Sequence, residues 1–499
     1  MDMLPPVIIT ILNLFAALFA LALVLAIGTL VTLYIIDRRQ HADAIRHNFP
    51  VVGRFRRLFM TLGEFFRQYF FAMDREEMPF NRADRNWVDH AAEGSDNTLA
   101  FGSTKILTEP GTAIFVNTPF AKMEKEYATP EPLRIGPYVP QPYDPPSFFN
   151  ISGMSYGALS RPAVQALSKG AHLAGCWMNT GEGGLSPYHL EGGADIVFQI
   201  GTAKYGVRTP DGDLDEEKLR KITGYDAVKM VEVKLSQGAK PGKGGMLPAE
   251  KVTAEIAEIR GIPENTPSYS PNRHKEIGSV PELLEFIARV RNIAGKPVGI
   301  KAVIGTSDWL HDMCEEIHRR GIESAPDFIT IDSADGGTGA APMPLMDNVG
   351  LTLRESLPMV DDILKAHGLR ERIRLIVSGK LVVPSKVALA LCAGADFTVS
   401  ARGYMFALGC IQALKCNRNT CPTGITTHDP ALQAGLDPAD KSVRVARYCE
   451  TVRREVEMIA HSCGVDDARK LSREHVRVVQ ANGLSVPLSA LFPPTKVQV

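Results

Sequence analysis

Beyond residue 146 the sequence holds eight short runs rich in β-branched and aromatic residues, each parted from the next by a helix-like stretch, and this alternation leaves few architectures open. The runs lie near 147–151 (SFFNI), 176–179 (CWMN), 195–200 (DIVFQI), 230–235 (MVEVKL), 297–302 (PVGIKA), 327–332 (DFITID), 373–378 (IRLIVS) and 396–400 (DFTVS). Helical patterns such as VQALSKGAHLAG, SVPELLEFIARVRNIAG and SKVALALCAGA fall between them. Strands that alternate with helices make a parallel sheet, and eight such units close into an α/β fold, the (β/α)8 TIM barrel, of about 250 residues. The competing architecture, a doubly wound open sheet, is disfavoured because no G-x-G-x-x-G follows a first strand, while functional-looking residues stand after nearly every strand.

The N-terminus carries a second constraint. From Val7 to Ile36 there is no charged residue, and roughly 20 apolar residues suffice to cross a bilayer. This predicts a transmembrane helix. A signal peptide has a shorter apolar region with basic residues before it, whereas here the chain starts Met-Asp-Met; a buried core helix has no need of such length. The first basic residues, Arg38, Arg39 and Arg46, follow the span and are joined by Arg54, Arg56 and Arg57, so the positive-inside rule predicts a single-pass protein of the cell inner membrane with its bulk in the cytoplasm.

The expected layout is an N-terminal tail (1–6), the transmembrane helix (7–36), a membrane-proximal arm and linker (37–149), a barrel (150–430) and a C-terminal helical segment (431–499). In the arm, RFRRLFMTLGEFFRQYFFAM (54–73) has Phe and Arg at helical spacing, which suits either the membrane surface or the flank of the main domain. The Pro-rich stretch 134–150 reads as an extended linker wrapping onto the barrel. After the fourth run, 236–273 is a long Gly- and Pro-rich insert with few strand or helix signals, of the kind that is usually functional. The net charge of −1 gives no global reason to expect nucleic acid as a partner, and eight cysteines in 499 residues are too sparse for a disulfide scaffold, which points to a reducing compartment.

Chemistry gathers at the run ends. SADGGTGAAP (333–342) packs glycines around Asp335 and Thr338, which suits a phosphate or the edge of a flavin, and SGKL (378–381) and SARG (400–403) follow the last two runs, where barrels commonly bind phosphate. Lys234 and Lys301 each sit inside an apolar run, so each either faces a bound anion or flavin or forms an internal ion pair, with Asp332 as one candidate partner. Cys410, Cys416 and Cys421 lie within twelve residues of one another; they suit an iron-sulfur cluster, a zinc ion with His428 as fourth ligand, or plain buried thiols.

The segments ISGMSYGALSRPAVQALSKGA, NTGEGG, VKLSQGAKPGKGG and SADGGTGAAP, with the Cys-x5-Cys-x4-Cys-Pro-x-Gly run, resemble in order the FMN-binding synthase domain of glutamate synthases, over about 150–430. The resemblance implies a barrel that holds FMN, with a [3Fe-4S] cluster on Cys410, Cys416 and Cys421 passing electrons to it. It implies flavin contacts from Met154, Ser155, Asn179, Glu182, Lys234 and the loop Asp335, Gly336, Gly337 and Thr338, with Gly379, Arg402 and Gly403 at the phosphate. Glu182, Lys234 and Lys301 are the expected catalytic residues, and Lys240 with Arg260 the 2-oxoglutarate site.

Two departures stand out. Met246 occupies a position where the family commonly has a Gln that contacts the keto acid, and the first cysteine is Cys176, so no N-terminal glutaminase nucleophile precedes the barrel. The expected function is reductive amination of a 2-oxo acid by ammonia or an amine. A membrane-tethered electron-transfer protein that has lost glutamate synthesis and another FMN barrel oxidoreductase, such as an α-hydroxy-acid oxidase, are the alternatives. Expected partners are the membrane, an electron donor such as a ferredoxin, a reductase subunit or a membrane quinol, and a separate glutaminase that supplies ammonia.

Overall fold

A computed structural model of the chain describes residues 6–40, 43–126, 128 and 132–493; most of the N-terminal tail therefore lies outside the described residues. It divides into two units, 1–83 and 84–499.

In the first unit, α1 (Pro6–Arg39) is a continuous helix, long and apolar enough to cross a membrane and exposed along that stretch. A short helix, α2 (Ala44–Asn48), and an amphipathic helix, α3 (Val52–Phe66), follow, and α3 runs on into a π turn over Arg67–Phe71. The corner between α1 and α3 is tied by Asp37, which is fully buried. Its Oδ1 accepts from Arg46 Nη2 at 2.7 Å and Arg54 Nη2 at 2.8 Å, and its Oδ2 from Arg54 Nε at 2.8 Å and the Val51 N–H at 3.0 Å.

The second unit is built on a closed barrel of eight parallel strands. They are β1 (Phe149–Ile151), β2 (Met178–Asn179), β3 (Ile196–Ile200), β4 (Val228–Lys234), β5 (Val298–Ala302), β6 (Phe328–Asp332), β7 (Arg374–Ser378) and β8 (Phe397–Ser400). Each of the eight runs read from the sequence holds one strand. The barrel closes where β8 pairs with β1, Thr398 opposite Phe149. The strands are buried almost throughout, as parallel strands covered by helices must be.

The linker stops one end of the barrel. Ile135 and Tyr143 bridge to each other and are buried with Trp177, Met230, Phe328, Ile376 and Phe397 in a single apolar cluster. The helices follow ordinary local rules: α4 (Arg161–Ala174) starts at Ser160, whose hydroxyl accepts from the Ala163 N–H, and ends at Gly175 in the left-handed region. The C-terminal segment is mainly one long helix, α5 (Pro438–Ser462), packed on α4 so closely that a Cβ at Gly170 would lie 2.4 Å from Val445 Cγ1.

Two local readings need correction. The insert 236–273 is not bare loop: a strand pair joins Met246–Leu247 to Ser268–Tyr269, and a helix capped by Thr253 runs over Ala254–Arg260. The C-terminal segment is not helical to its end either, since Val476–Val479 forms a three-stranded sheet with Ser485–Pro487 and, from the arm, Ala113–Phe115.

Candidate active site

The strand ends of β2, β4, β5 and β6 bring most of the expected side chains to one mouth. Side chains two residues apart on a strand share a face, so Glu232 and Lys234 of β4 both point inward, and the register sets Lys301 of β5 beside Lys234. Lys234 Nζ lies 3.0 Å from Glu182 Oε1 and also donates to Gln237 Oε1. Glu182 fills a cleft with almost no spare room: a Cβ at Gly201 would sit 2.6 Å from its Oε2, and one at Gly245 2.3 Å from its Oε1. Burial opposes ionisation of Glu182, but the charges of Lys234, Lys240 and Arg260 overcome it, holding the carboxyl below the usual range.

Lys240 and Arg260, both in the insert, thus converge on the same carboxylate as Lys234. Lys240 Nζ donates to the Ala340 carbonyl at 3.3 Å, and burial, with Lys234 nearby, brings its ammonium down to about 8. Arg260 is buried over the Tyr205 ring, 5.1 Å from its centroid, and donates through Nη2 to the Tyr156 carbonyl at 3.4 Å; its Nε has no hydrogen-bond partner among the described residues. Lys301 takes the ion-pair alternative, 3.4 Å from Asp332 Oδ2. Burial works against its charge, and Asp332 with Glu232 outweighs it, so the ammonium is raised.

The flavin-loop residues surround this mouth. The Met154 N–H donates to the Asn179 carbonyl at 3.3 Å, and Ser155 lies against the NTGEGG loop, where a Cβ at Gly183 would meet Ser155 Cβ at 2.7 Å. On the next loops, Asp335 pairs with Lys380 at 3.1 Å and accepts from the Ser333 hydroxyl, while Thr338 turns back on the Ala340 carbonyl at 3.4 Å. Gly336 packs by the Ser333 carbonyl, and Gly337 lies under Arg402, whose Nε would be 2.6 Å from a Cβ there. Gly379 adopts φ 149° and sits against Ser333, so any side chain at 379 would be both strained and blocked. Burial brings the Arg402 guanidinium down to about 10 despite Asp335 and Asp332, and a guanidinium over a glycine loop is a donor that fits a phosphate. Gly403 differs in role: its N–H donates to Ser400 Oγ at 3.2 Å and its Cα faces the Tyr448 hydroxyl, so its close approach is to protein.

Several residues escaped the sequence reading. Glu232, buried inside the barrel, accepts from Asn179 Nδ2 at 2.9 Å, Gln199 Nε2 at 2.6 Å and Thr330 Oγ1 at 2.5 Å, and so fixes the Asn179 amide beneath the mouth. The available signal was a second charged residue two positions before Lys234 in an apolar strand. His274, from the end of the insert, sets Nε2 3.0 Å from the Lys234 carbonyl. Met246 is half-exposed beside Gly245 at the rim.

The three cysteines share one loop beyond β8. Burial pushes Cys410 up to about 12 and raises Cys416; for Cys421 burial acts the same way, but hydroxyls of Thr423 and Thr426 outweigh it and the thiol is lowered. Lys251 is buried against the loop, donating to the Cys416 carbonyl at 2.9 Å and the Ala158 carbonyl at 3.1 Å. Among the described residues no three His, Cys, Asp or Glu side chains are grouped as a metal centre. His428 sets Nε2 2.9 Å from the Gly157 carbonyl, and Cys449 is buried elsewhere, its thiol 3.5 Å from the Phe149 carbonyl.

Residues 139–466 match a family described as a conserved region in glutamate synthase. A glutamate synthase large subunit-like protein, YerD, of Bacillus subtilis (strain 168) is 39% identical over 92% of this chain and 94% of its own length. An archaeal-type glutamate synthase [NADPH] of Thermotoga sp. (strain RQ2) is 32% identical over 69% of this chain, and the archaeal glutamate synthase [NADPH] of Methanocaldococcus jannaschii is 35% identical over 66% of it. The chain spans 65% and 62% of the length of these last two.

Proposed function

The chain belongs to the glutamate synthase family, and from that membership and the charges gathered on Glu182 we propose that it is an FMN-dependent oxidoreductase that reductively aminates a 2-oxo acid, 2-oxoglutarate or a relative, with ammonia or an amine. The observation that carries the reading is the convergence of Lys234, Lys240 and Arg260 on one carboxylate at the barrel mouth, with Arg260 Nε buried and unsatisfied. A dicarboxylate supplies what that donor lacks.

In this reading FMN, when bound, supplies the hydride that reduces the imine formed by condensation of the 2-oxo acid and the amine with loss of water. Lys240 and Arg260 bind and orient the acid's carboxylates. The Lys234 ammonium, paired with Glu182 Oε1, would give a proton to the nitrogen. Arg402, over Gly337, would hold the cofactor phosphate with Gly379, while Glu232 fixes Asn179 for the ring.

A [3Fe-4S] cluster on Cys410, Cys416 and Cys421 belongs to the same proposal, supported by three sulfur donors on one loop. A ferredoxin or reductase subunit would deliver electrons there, and a separate glutaminase would supply ammonia. Helix α1 would anchor the protein by a single pass in the inner membrane, its basic C-terminal end and the barrel in the cytoplasm; its length and exposure support this. Met246 at the rim favours a second reading, an electron-transfer protein that no longer makes glutamate.

One experiment separates the two. The flavin of the holoprotein is reduced anaerobically and titrated with 2-oxoglutarate plus ammonia. Reoxidation with formation of glutamate is expected; failure to reoxidise with 2-oxoglutarate or other 2-oxo acids would leave the electron-transfer reading in its place.

A further inference from the structure

The first unit exposes an apolar stripe that a soluble helix would bury. Val52, Phe55, Leu58 and Phe59 recur at three- and four-residue spacing along α3, and Val52 and Phe59 are 68% and 66% exposed. At 100° per residue, Arg56 falls roughly 80° to one side of the middle of this stripe, so a cation flanks the aromatic face, while Arg54 on the other side is taken up by Asp37. A helix with that cross-section suits the boundary between phospholipid headgroups and acyl chains, where aromatic side chains sink in and arginines reach the phosphates.

The corner before α3 gives the stripe its setting. Asp37, at the end of α1, holds Arg46, Arg54 and the Val51 N–H together, so the start of α3 is fixed to the end of the apolar helix and does not trail from it on a free tether. A surface that begins at an apolar helix and continues as an exposed apolar stripe edged by Arg56 fits a bilayer carrying anionic lipid. We propose that α3 lies in the headgroup layer of such a bilayer, stripe toward the acyl chains, with Asp37 setting its orientation. The proposal rests on α1 being a membrane span.

The test uses the full chain in phosphatidylcholine/phosphatidylglycerol vesicles containing brominated lipids, with tryptophan introduced by Phe19→Trp in α1, Phe59→Trp on the stripe or Thr61→Trp on the opposite side, and the unsubstituted protein's fluorescence subtracted. The expected result is quenching of the Phe19→Trp and Phe59→Trp signals by about half or more, with Thr61→Trp little affected. Phe59→Trp quenching should fall when phosphatidylglycerol is omitted or Arg56→Glu is added. If Phe19→Trp is not quenched, the span itself is overturned and this proposal with it. If Phe19→Trp is quenched while Phe59→Trp is not, the proposal alone fails; a blue-shifted Phe59→Trp emission in that case would mean that protein covers the stripe.

Discussion

Lys234 and Glu182 face each other at 3.0 Å, joining the end of β4 to the loop after β2 across the barrel mouth. Neither side chain is fully withdrawn from solvent, and Lys240 and Arg260 act on the Glu182 carboxylate together with Lys234. Glu182 therefore depends on three positive side chains for its charge.

That dependence has a pH signature. Glu182 ionises in the folded protein below its usual value of 4.5, so its contribution to stability is fully present above that pH and is lost as pH falls through the lowered folded value. Glu182→Gln should cost about 2 kcal/mol near neutrality, because Lys234 loses its counter-charge, and should flatten the acid limb of stability. Urea unfolding of both proteins between pH 3 and pH 7, taken as approximate bounds, checks this.

Lys240 titrates in the opposite sense. Its ammonium is brought down to about 8 by burial, so it loses charge as pH rises through that value while the unfolded chain keeps its proton, and stability should rise with pH up to the free-lysine value. Affinity for a dicarboxylic 2-oxo acid should fall over the same interval. Substrate-induced flavin difference spectra across this interval measure it, and Lys240→Gln should bind weakly at every pH.

Arg402→Ala should remove the proposed charge-assisted phosphate contact, at about 1.5–3 kcal/mol a loss of roughly 10- to 150-fold in FMN affinity. Equilibrium dialysis of FMN against the apoprotein reads it directly. Unchanged affinity would take Arg402 out of the cofactor site.

Glu232→Leu strands three buried donors, on Asn179, Gln199 and Thr330. The variant should lose about 3 kcal/mol or more, whereas Glu232→Gln should lose less because one acceptor oxygen remains. The ordering of the two denaturation midpoints is the check.

Cys416→Ser should abolish bound iron and leave FMN in place, since Gly379 and Arg402 stand outside the loop that holds Cys416. Iron analysis and electron paramagnetic resonance of the oxidised protein, compared with Cys449→Ser, decide the ligand set. Equal iron loss in Cys449→Ser would exclude a three-cysteine cluster.

The barrel was legible because each strand is a buried run with its own local composition, so DFITID and IRLIVS announce themselves without reference to anything distant. Lys234 and Lys301 were visible for the same reason, as charges where none belong. Glu232 was equally visible in VEVKL, but the reading stopped at one charge per strand. What could not be read is pairing between remote segments: Ala113–Phe115 finds Val476–Val479, and neither run has a pattern that names the other. The brief strands Met246–Leu247 and Ser268–Tyr269 are too short to show a period at all.

The seam of the barrel also has a consequence for how the chain is made. Phe149 and Thr398 are adjacent in the closed sheet but separated by about 250 residues of sequence, and a ribosome adding about 5–20 residues per second needs about 12–50 s to supply the second after the first. Throughout that interval β1 has one edge without its neighbour, while α1 has long since left the exit tunnel. The nascent protein is therefore a long apolar helix followed by an open sheet, whose β1 edge stays unpaired until synthesis reaches β8.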